Sequence, residues 1–195
     1  MRRLIGSLVV LAILIAAYLG SALWSLAALA NAVRAGDADG VIARTDVPSL
    51  TQSIADQVVA AYLTRIGQTR QVGSSERMLI RAAGSGVAQA MIGKMLTPDH
   101  LAEFLKTGQL QGVPDIPQLT GLPRLADLET GNVLAMLQRF RFIDPMEFGF
   151  RVGGTAGTED VSEVRLHFTG TGWMLSGLTL PANVTRDLAA KLPAK

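Results

Sequence analysis

The chain has 195 residues, 18 of them Lys or Arg and 16 Asp or Glu, and it contains no cysteine. That length supports one core with a short extension and argues against two large domains, while the missing thiols exclude disulfides and thiolate metal sites. Setting Arg2 and Arg3 aside from the 18 basic residues leaves 16, equal to the acidic count, so the body of the chain has no net basic field for nucleic acid.

Residues 4–33 carry no charged side chain and directly follow Arg2 and Arg3. At roughly 1.5 Å per residue, a helix from Leu4 to Trp24 reaches about 30 Å, the hydrocarbon thickness of a bilayer. Trp24 then falls at the far interface, and Arg2, Arg3, Tyr18 and Trp24 are the expected membrane-interface residues. The two arginines favour a cytoplasmic N-terminus and an exported remainder. A cleaved signal peptide is the alternative, since Gly20-Ser21-Ala22 and Ala28-Leu29-Ala30 both offer small-x-small sites. Against cleavage, the apolar run exceeds the usual signal length of about 7–15 residues. Apolar spacing also continues through Leu23, Leu26, Leu29 and Val33, as in a helix that leaves the membrane unbroken and gives one face to a soluble domain.

Ala35-Gly36-Asp37 predicts a helix stop with glycine past its end, then a short helix through Val41 to Ala43 capped by Asp37 or Asp39. Asp46-Val47-Pro48-Ser49-Leu50 predicts a further break, because the residue before proline avoids the helical region. Leu50, Ile54, Val58, Ala61 and Tyr62 recur at helical spacing, giving a helix over 49–66, and 68–75 reads as a loop. A third helix over 76–96 places Met78, Leu79, Ala82, Val87, Ala90, Met91 and Met95 on its apolar face, with Gly84, Gly86 and Gly93 serving close packing or a bend. Gly84-Ser85-Gly86 lacks the third glycine and the preceding strand of a dinucleotide fingerprint, and no Gly-Lys-Ser/Thr follows it. Thr97-Pro98-Asp99 supplies an N-cap, a first-turn proline and a first-turn acid for a helix from Pro98 to Lys106, ended by Gly108. Gly112 to Pro123 reads as an extended connector, and 129–138 as one short helix through Val133, Leu134 and Leu137.

Six of the ten aromatic residues lie between Phe140 and Trp173, where the pattern changes from helical spacing to alternation. Met146, Phe148, Phe150 and Val152 share one strand face, with Glu147 and Arg151 on the other. Val164, Leu166 and Phe168 alternate with Glu163, Arg165 and His167. Thr169 to Gly172 forms a hairpin turn into a strand from Trp173 to Leu180. Pro181 ends the sheet, and Asn183 or Thr185 caps a last helix through Leu188 and Leu192.

The succession of an apolar N-terminal helix, Ala35-Gly36-Asp37, Asp46-Val47-Pro48-Ser49-Leu50, Leu96-Thr97-Pro98-Asp99-His100-Leu101, Gly172-Trp173-Met174-Leu175 and Leu178-Thr179-Leu180-Pro181 resembles the bacterial domain of unknown function family 2939. The resemblance runs over nearly the whole chain and rests on caps, turns and core positions. It implies a membrane-anchored envelope protein and brings no catalytic residues. A helix ending in alanine-glycine-aspartate before an antiparallel sheet is also similar to the cone-shaped domains of the nuclear-transport-factor-2-like class.

The histidines are His100 and His167. Asp99, His100 and Glu103 share a helical turn, but acids in a capped first turn are explained by the helix dipole, and no metal site is assigned there. Arg151, Arg165 and His167 lie on the polar strand face and are the candidate ligand-facing residues; an arginine pair with a histidine suits an anion or acid–base work, and cross-strand ion pairs on a solvated face explain the same residues. No nucleophile motif and no cofactor fingerprint is present. The expected protein is an α+β one: a membrane anchor over 1–33, then a single exported domain over 34–195, helical to 138, with a three- or four-stranded antiparallel sheet over 139–181 and a terminal helix over 183–192. Its expected place is the bacterial inner membrane, single-pass, with the C-terminal domain in the periplasm. The lipid bilayer and other envelope proteins are the expected partners, and binding or scaffolding the expected role. The alternatives are a small pocket enzyme, a hydrolase or isomerase, and a cleaved secreted protein.

Overall fold

The computed structural model describes residues 2–109, 124–128, 130, 132–152 and 162–192. The connector expected over 112–123 lies outside them, as do the side chains of Arg2 and Arg3. The chain is α+β, with one long apolar N-terminal helix, further helices and a four-stranded antiparallel open sheet in the order β1-β2-β3-β4.

Helix α1, Arg2–Ala35, runs unbroken for 34 residues. Its two halves live in different surroundings. Ile5 to Ala17 are exposed, whereas Ala22, Leu26, Leu29, Ala30 and Val33 are buried in the domain core. Gly36 ends the helix at φ +71°, a conformation that costs glycine little, and Asp37 N–H returns to the Ala32 carbonyl at 3.0 Å. Arg34 locks this end in place: its guanidinium donates to the carbonyls of Ala126 and Leu128 beside a short 3₁₀ turn, Leu125–Asp127.

Helix α2, Ala38–Ile42, is capped by the Asp37 carboxylate, which accepts from Gly40 N–H at 2.9 Å. The chain then makes an unexpected move. Asp46 N–H donates to the Leu175 carbonyl at 2.8 Å and Leu175 N–H donates to the Arg44 carbonyl at 2.9 Å, so residues 44–46 pair with the sheet edge before α3, Val47–Thr69, begins. The break foreseen at Val47-Pro48 is real but sits two residues earlier than expected: Asp46 is the N-cap and Pro48 lies in the first turn, where its missing N–H costs nothing.

Helix α4, Ser74–Met95, follows the expected span, but of the expected apolar face only Met95 is buried and Met91 packed at the margin. Met78 and Leu79 are 75% and 69% exposed and Val87 and Ala90 face outward, while Ala88, Ile92 and Met95 are buried and Ile80, Gly84 and Met91 pack at the margin. The stripe is therefore 80-84-88-92-95, spaced by four and finally by three, and the apolar residues outside it made the sequence pattern ambiguous in phase. Gly84 faces Val59 of α3, but a Cβ there would meet it at an ordinary 3.5 Å, and a Cβ at Gly86 or Gly93 would meet nothing of another element within 4 Å. Close packing does not require these glycines.

Helix α5, Pro98–Thr107, has the expected Thr97 cap and ends at Gly108 with φ +66°. It packs on α1 and α2 and buries Leu101, Phe104 and Leu105, with Phe104 facing Ile54, Ile92 and Leu188. Helix α6, Val133–Arg139, starts at an Asn132 cap and buries Met136, leaving Leu137 outward, contrary to expectation. It passes without a gap into the sheet: β1 Phe140–Asp144, β2 Glu147–Val152, β3 Ser162–Phe168 and β4 Trp173–Leu178. Helix α7, Ala182–Ala190, closes the described chain; its N-cap is Pro181, not Asn183 or Thr185. One sheet face carries Phe148, Phe150, Val164, Leu166, Trp173 and Leu175, all buried. Tyr18 of α1 meets Phe168 and Phe148 edge-on at 5.6 and 6.2 Å and lies tilted against Trp173 at 5.2 Å, and Trp173 stacks on Phe148 at 4.6 Å.

Candidate functional site

The opposite face of the sheet holds the charged residues. Strand alternation puts Glu147, Gly149 and Arg151 of β2 beside Glu163, Arg165 and His167 of β3, in the register Glu147↔His167, Gly149↔Arg165 and Arg151↔Glu163. Arg165 also stands opposite Gly177 of β4. It thus has a glycine on each flank. A Cβ at Gly177 would sit 2.8 Å from Arg165 Nε, and one at Gly149 would sit 2.9 Å from the Glu163 carboxylate. The two glycines let these long side chains lie flat on the sheet.

Lying flat, Arg165 reaches two partners. Its Nη2 donates to Ser53 Oγ of α3 at 2.7 Å, and Nη1 approaches Glu147 Oε1 at 3.4 Å. Nε is buried without a hydrogen-bond partner. Glu163 turns the other way, toward Arg141 of β1 at 3.3 Å. His167 Nε2 lies 3.5 Å from Asp46 Oδ2, an ion-pair distance that is long for a hydrogen bond. Asp46 is already engaged, because it accepts from Ser49 N–H at 3.1 Å and Ser49 Oγ at 2.8 Å. Burial opposes its ionisation, but the Ser49 hydrogen bonds and the neighbouring His167 outweigh that cost and hold the carboxyl below the usual aspartate range.

Of the three residues nominated from sequence, the fold brings Arg165 and His167 under the first turns of α3, half-buried, with Asp46, Ser53 and Glu147 around them. Arg151 stands apart at the far end of β2, exposed. Asp46 and Ser53 were missed as site residues. Their local signals read as a helix cap and a helix surface, and only the pairing of residues 44–46 with β4 carries them to the sheet. Asp99 and Glu103 point outward, while His100 is half-buried and its Nδ1 has no partner; no three metal-binding side chains cluster among the described residues. Trp24 is 79% exposed. Tyr18, besides its place on the apolar helix, is a packing residue of the sheet, and its hydroxyl donates to the Pro145 carbonyl at 2.7 Å.

A second feature is apolar. Val59 and Tyr62 of α3, Ile80, Gly84 and Val87 of α4, and Leu192 beyond α7 line a groove of about 240 Å³. A third is α1 itself: Ile5–Ala35 is the stretch among the described residues that is long and apolar enough to cross a membrane.

No curated protein and no solved structure matches the chain. The match to a family model stops within α5, so the sheet, its polar face and α7 lie outside it. Residues 10–104 match the family described as protein of unknown function (DUF2939), the family that the sequence resembles.

Proposed function

We propose that this is a single-span protein of the bacterial inner membrane, N-terminus in the cytoplasm, whose periplasmic domain binds or scaffolds other envelope proteins. The continuity of α1 carries this reading. The stretch Ile5–Ala35 has the length and hydropathy of a membrane segment, its N-terminal part is exposed, and its C-terminal part is core. Cleavage after Ala30 would remove Leu26 and Leu29 from the core, and cleavage after Ala22 would remove Tyr18 and Ser21 from the aromatic cluster. Truncating one buried leucine costs about 2–5 kcal/mol, so losing two such residues is comparable with a domain's whole stability. A retained anchor is therefore the form that keeps the domain folded. The apolar groove between α3 and α4, with half-exposed Val87 on its lining, supports a binding role.

The enzyme alternative draws on one contact, His167 to Asp46. Three features weigh against it: the pair is 3.5 Å apart, the Asp46 oxygens are taken by Ser49, and Arg165 is committed to Ser53 and Glu147. These are the bonds of a clamp between α3 and the sheet. The test is topological. A reporter active only in the periplasm, fused after Lys195, is expected to be active, and a cytoplasmic reporter there silent; the reverse pattern would refute the orientation.

A further inference from the structure

We propose that the domain sits partly in the bilayer, with the β1–β2 hairpin tip inserted beside the anchor at the periplasmic lipid surface. The inference rests on the anchor reading of α1 and adds a second membrane contact to it. Three observations converge. The exposed part of the helix is short: Ile5 to Ala17 spans about 20 Å at roughly 1.5 Å per residue, against a hydrocarbon core of about 30 Å. From Tyr18 onward the helix is already packed on the sheet. Tilting does not relieve this shortfall, since a tilted helix spans less depth. The missing depth, about 10 Å, corresponds to Tyr18 to Trp24, and it falls at the upper end of the roughly 5–10 Å to which interfacial elements sink.

The part of the domain at that depth is apolar and exposed. Ser25, Ser21 and Tyr18 contact, in order toward the N-terminus of α1, the Trp173 carbonyl, the Trp173 indole and the Pro145 carbonyl. Of the sheet residues that α1 hydrogen-bonds, Pro145 at the hairpin tip is therefore the one nearest the N-terminus of the helix. The tip carries Phe142, Ile143 and Met146, exposed by 60%, 39% and 55%, beside Pro145. Isolated exposed apolar side chains are ordinary, but these cluster on one turn against the anchor. The tip carries one exposed charge, Asp144, whose carboxylate accepts Met146 N–H at 2.7 Å. On the other side of the helix, Trp24 stands exposed where an indole suits the lipid interface.

The chain has no cysteine, so single labels can be placed cleanly. Leu11→Cys, Phe142→Cys, Met146→Cys and Glu103→Cys replace exposed side chains, and each would carry a small fluorophore on the full chain in phosphatidylglycerol–phosphatidylethanolamine vesicles. Quenching by aqueous iodide and by a nitroxide-bearing lipid would be compared. The expected result is that labels at 142 and 146 resist iodide about fivefold more than the label at 103 and are quenched by the lipid nitroxide, as is the label at 11. Free access of iodide to 142 and 146 with 11 lipid-quenched would overturn the insertion and leave the anchor standing. Protection from iodide without quenching by lipid would mean that protein covers the tip, and would overturn it equally. A label at 11 that lipid fails to quench would remove the anchor reading and this inference together.

Discussion

Replacing Trp173 by alanine should unfold the domain more readily than any other single aromatic truncation in the sheet. The side chain is 4% exposed, stacks on Phe148 at 4.6 Å, and donates from Nε1 to Ser21 Oγ at 2.9 Å. Burying a tryptophan removes about 200 Å² from water, which at about 25 cal/mol per Å² is roughly 5 kcal/mol, an upper value because the unfolded chain already hides part of that area. Partial collapse of the cavity lowers the cost, and loss of the Ser21 hydrogen bond restores about 1 kcal/mol, so a net loss of about 4 kcal/mol is expected. The assay is urea unfolding of full-length protein in detergent, followed by far-UV circular dichroism because the substitution removes an indole. With a slope of about 2 kcal/mol per molar, the midpoint should fall by about 2 M. A fall worth less than about 1 kcal/mol would refute the packing of α1 on the sheet through this residue.

Gly177→Ala should cost about 1–3 kcal/mol, since its Cβ would stand 2.8 Å from Arg165 Nε, and most of that cost should vanish in an Arg165→Ala background. Additive losses in the double variant would show that the flat arginine is not the obstacle. Asp46 has a folded-state pKa below its ordinary value, so it stabilises the fold above the unfolded pKa near 3.8, and that contribution is lost as pH falls through the lower, folded value. Urea midpoints should therefore drop more steeply below about pH 4 in wild type than in Asp46→Asn, whose side chain cannot titrate but still caps α3; parallel curves would contradict the shift. Arg151→Ala and Trp24→Ala, both at exposed positions, should each leave stability within about 0.5 kcal/mol by the same urea assay.

What the sequence made legible was local. Thr97, Pro98 and Gly108 frame α5 through caps that act within one turn, and the alternation at 146–152 and 163–168 predicts both strands and which side chains share a face. The face of α4 was not legible, because apolar residues at 78, 79 and 87 compete with the buried stripe and only α3 decides between them. β1 was hidden by its direct continuation from α6 and by its place at the sheet edge, where four of its five residues are exposed and alternation is lost. The bed of Arg165 depends on a register that sets Gly149 and Gly177 on either side of it, and on Ser53, which is 112 residues away. No local pattern encodes such contacts.

The decisive quantity is the mass of the mature chain. If α1 is at once anchor and core, protein extracted from bacterial membranes should give the intact mass of a chain that still begins ahead of Leu4, and alkaline washing should leave it in the membrane fraction. A soluble product beginning at Leu23 or Asn31 would contradict the account, because the helix that completes the core would then have been cut within its own length.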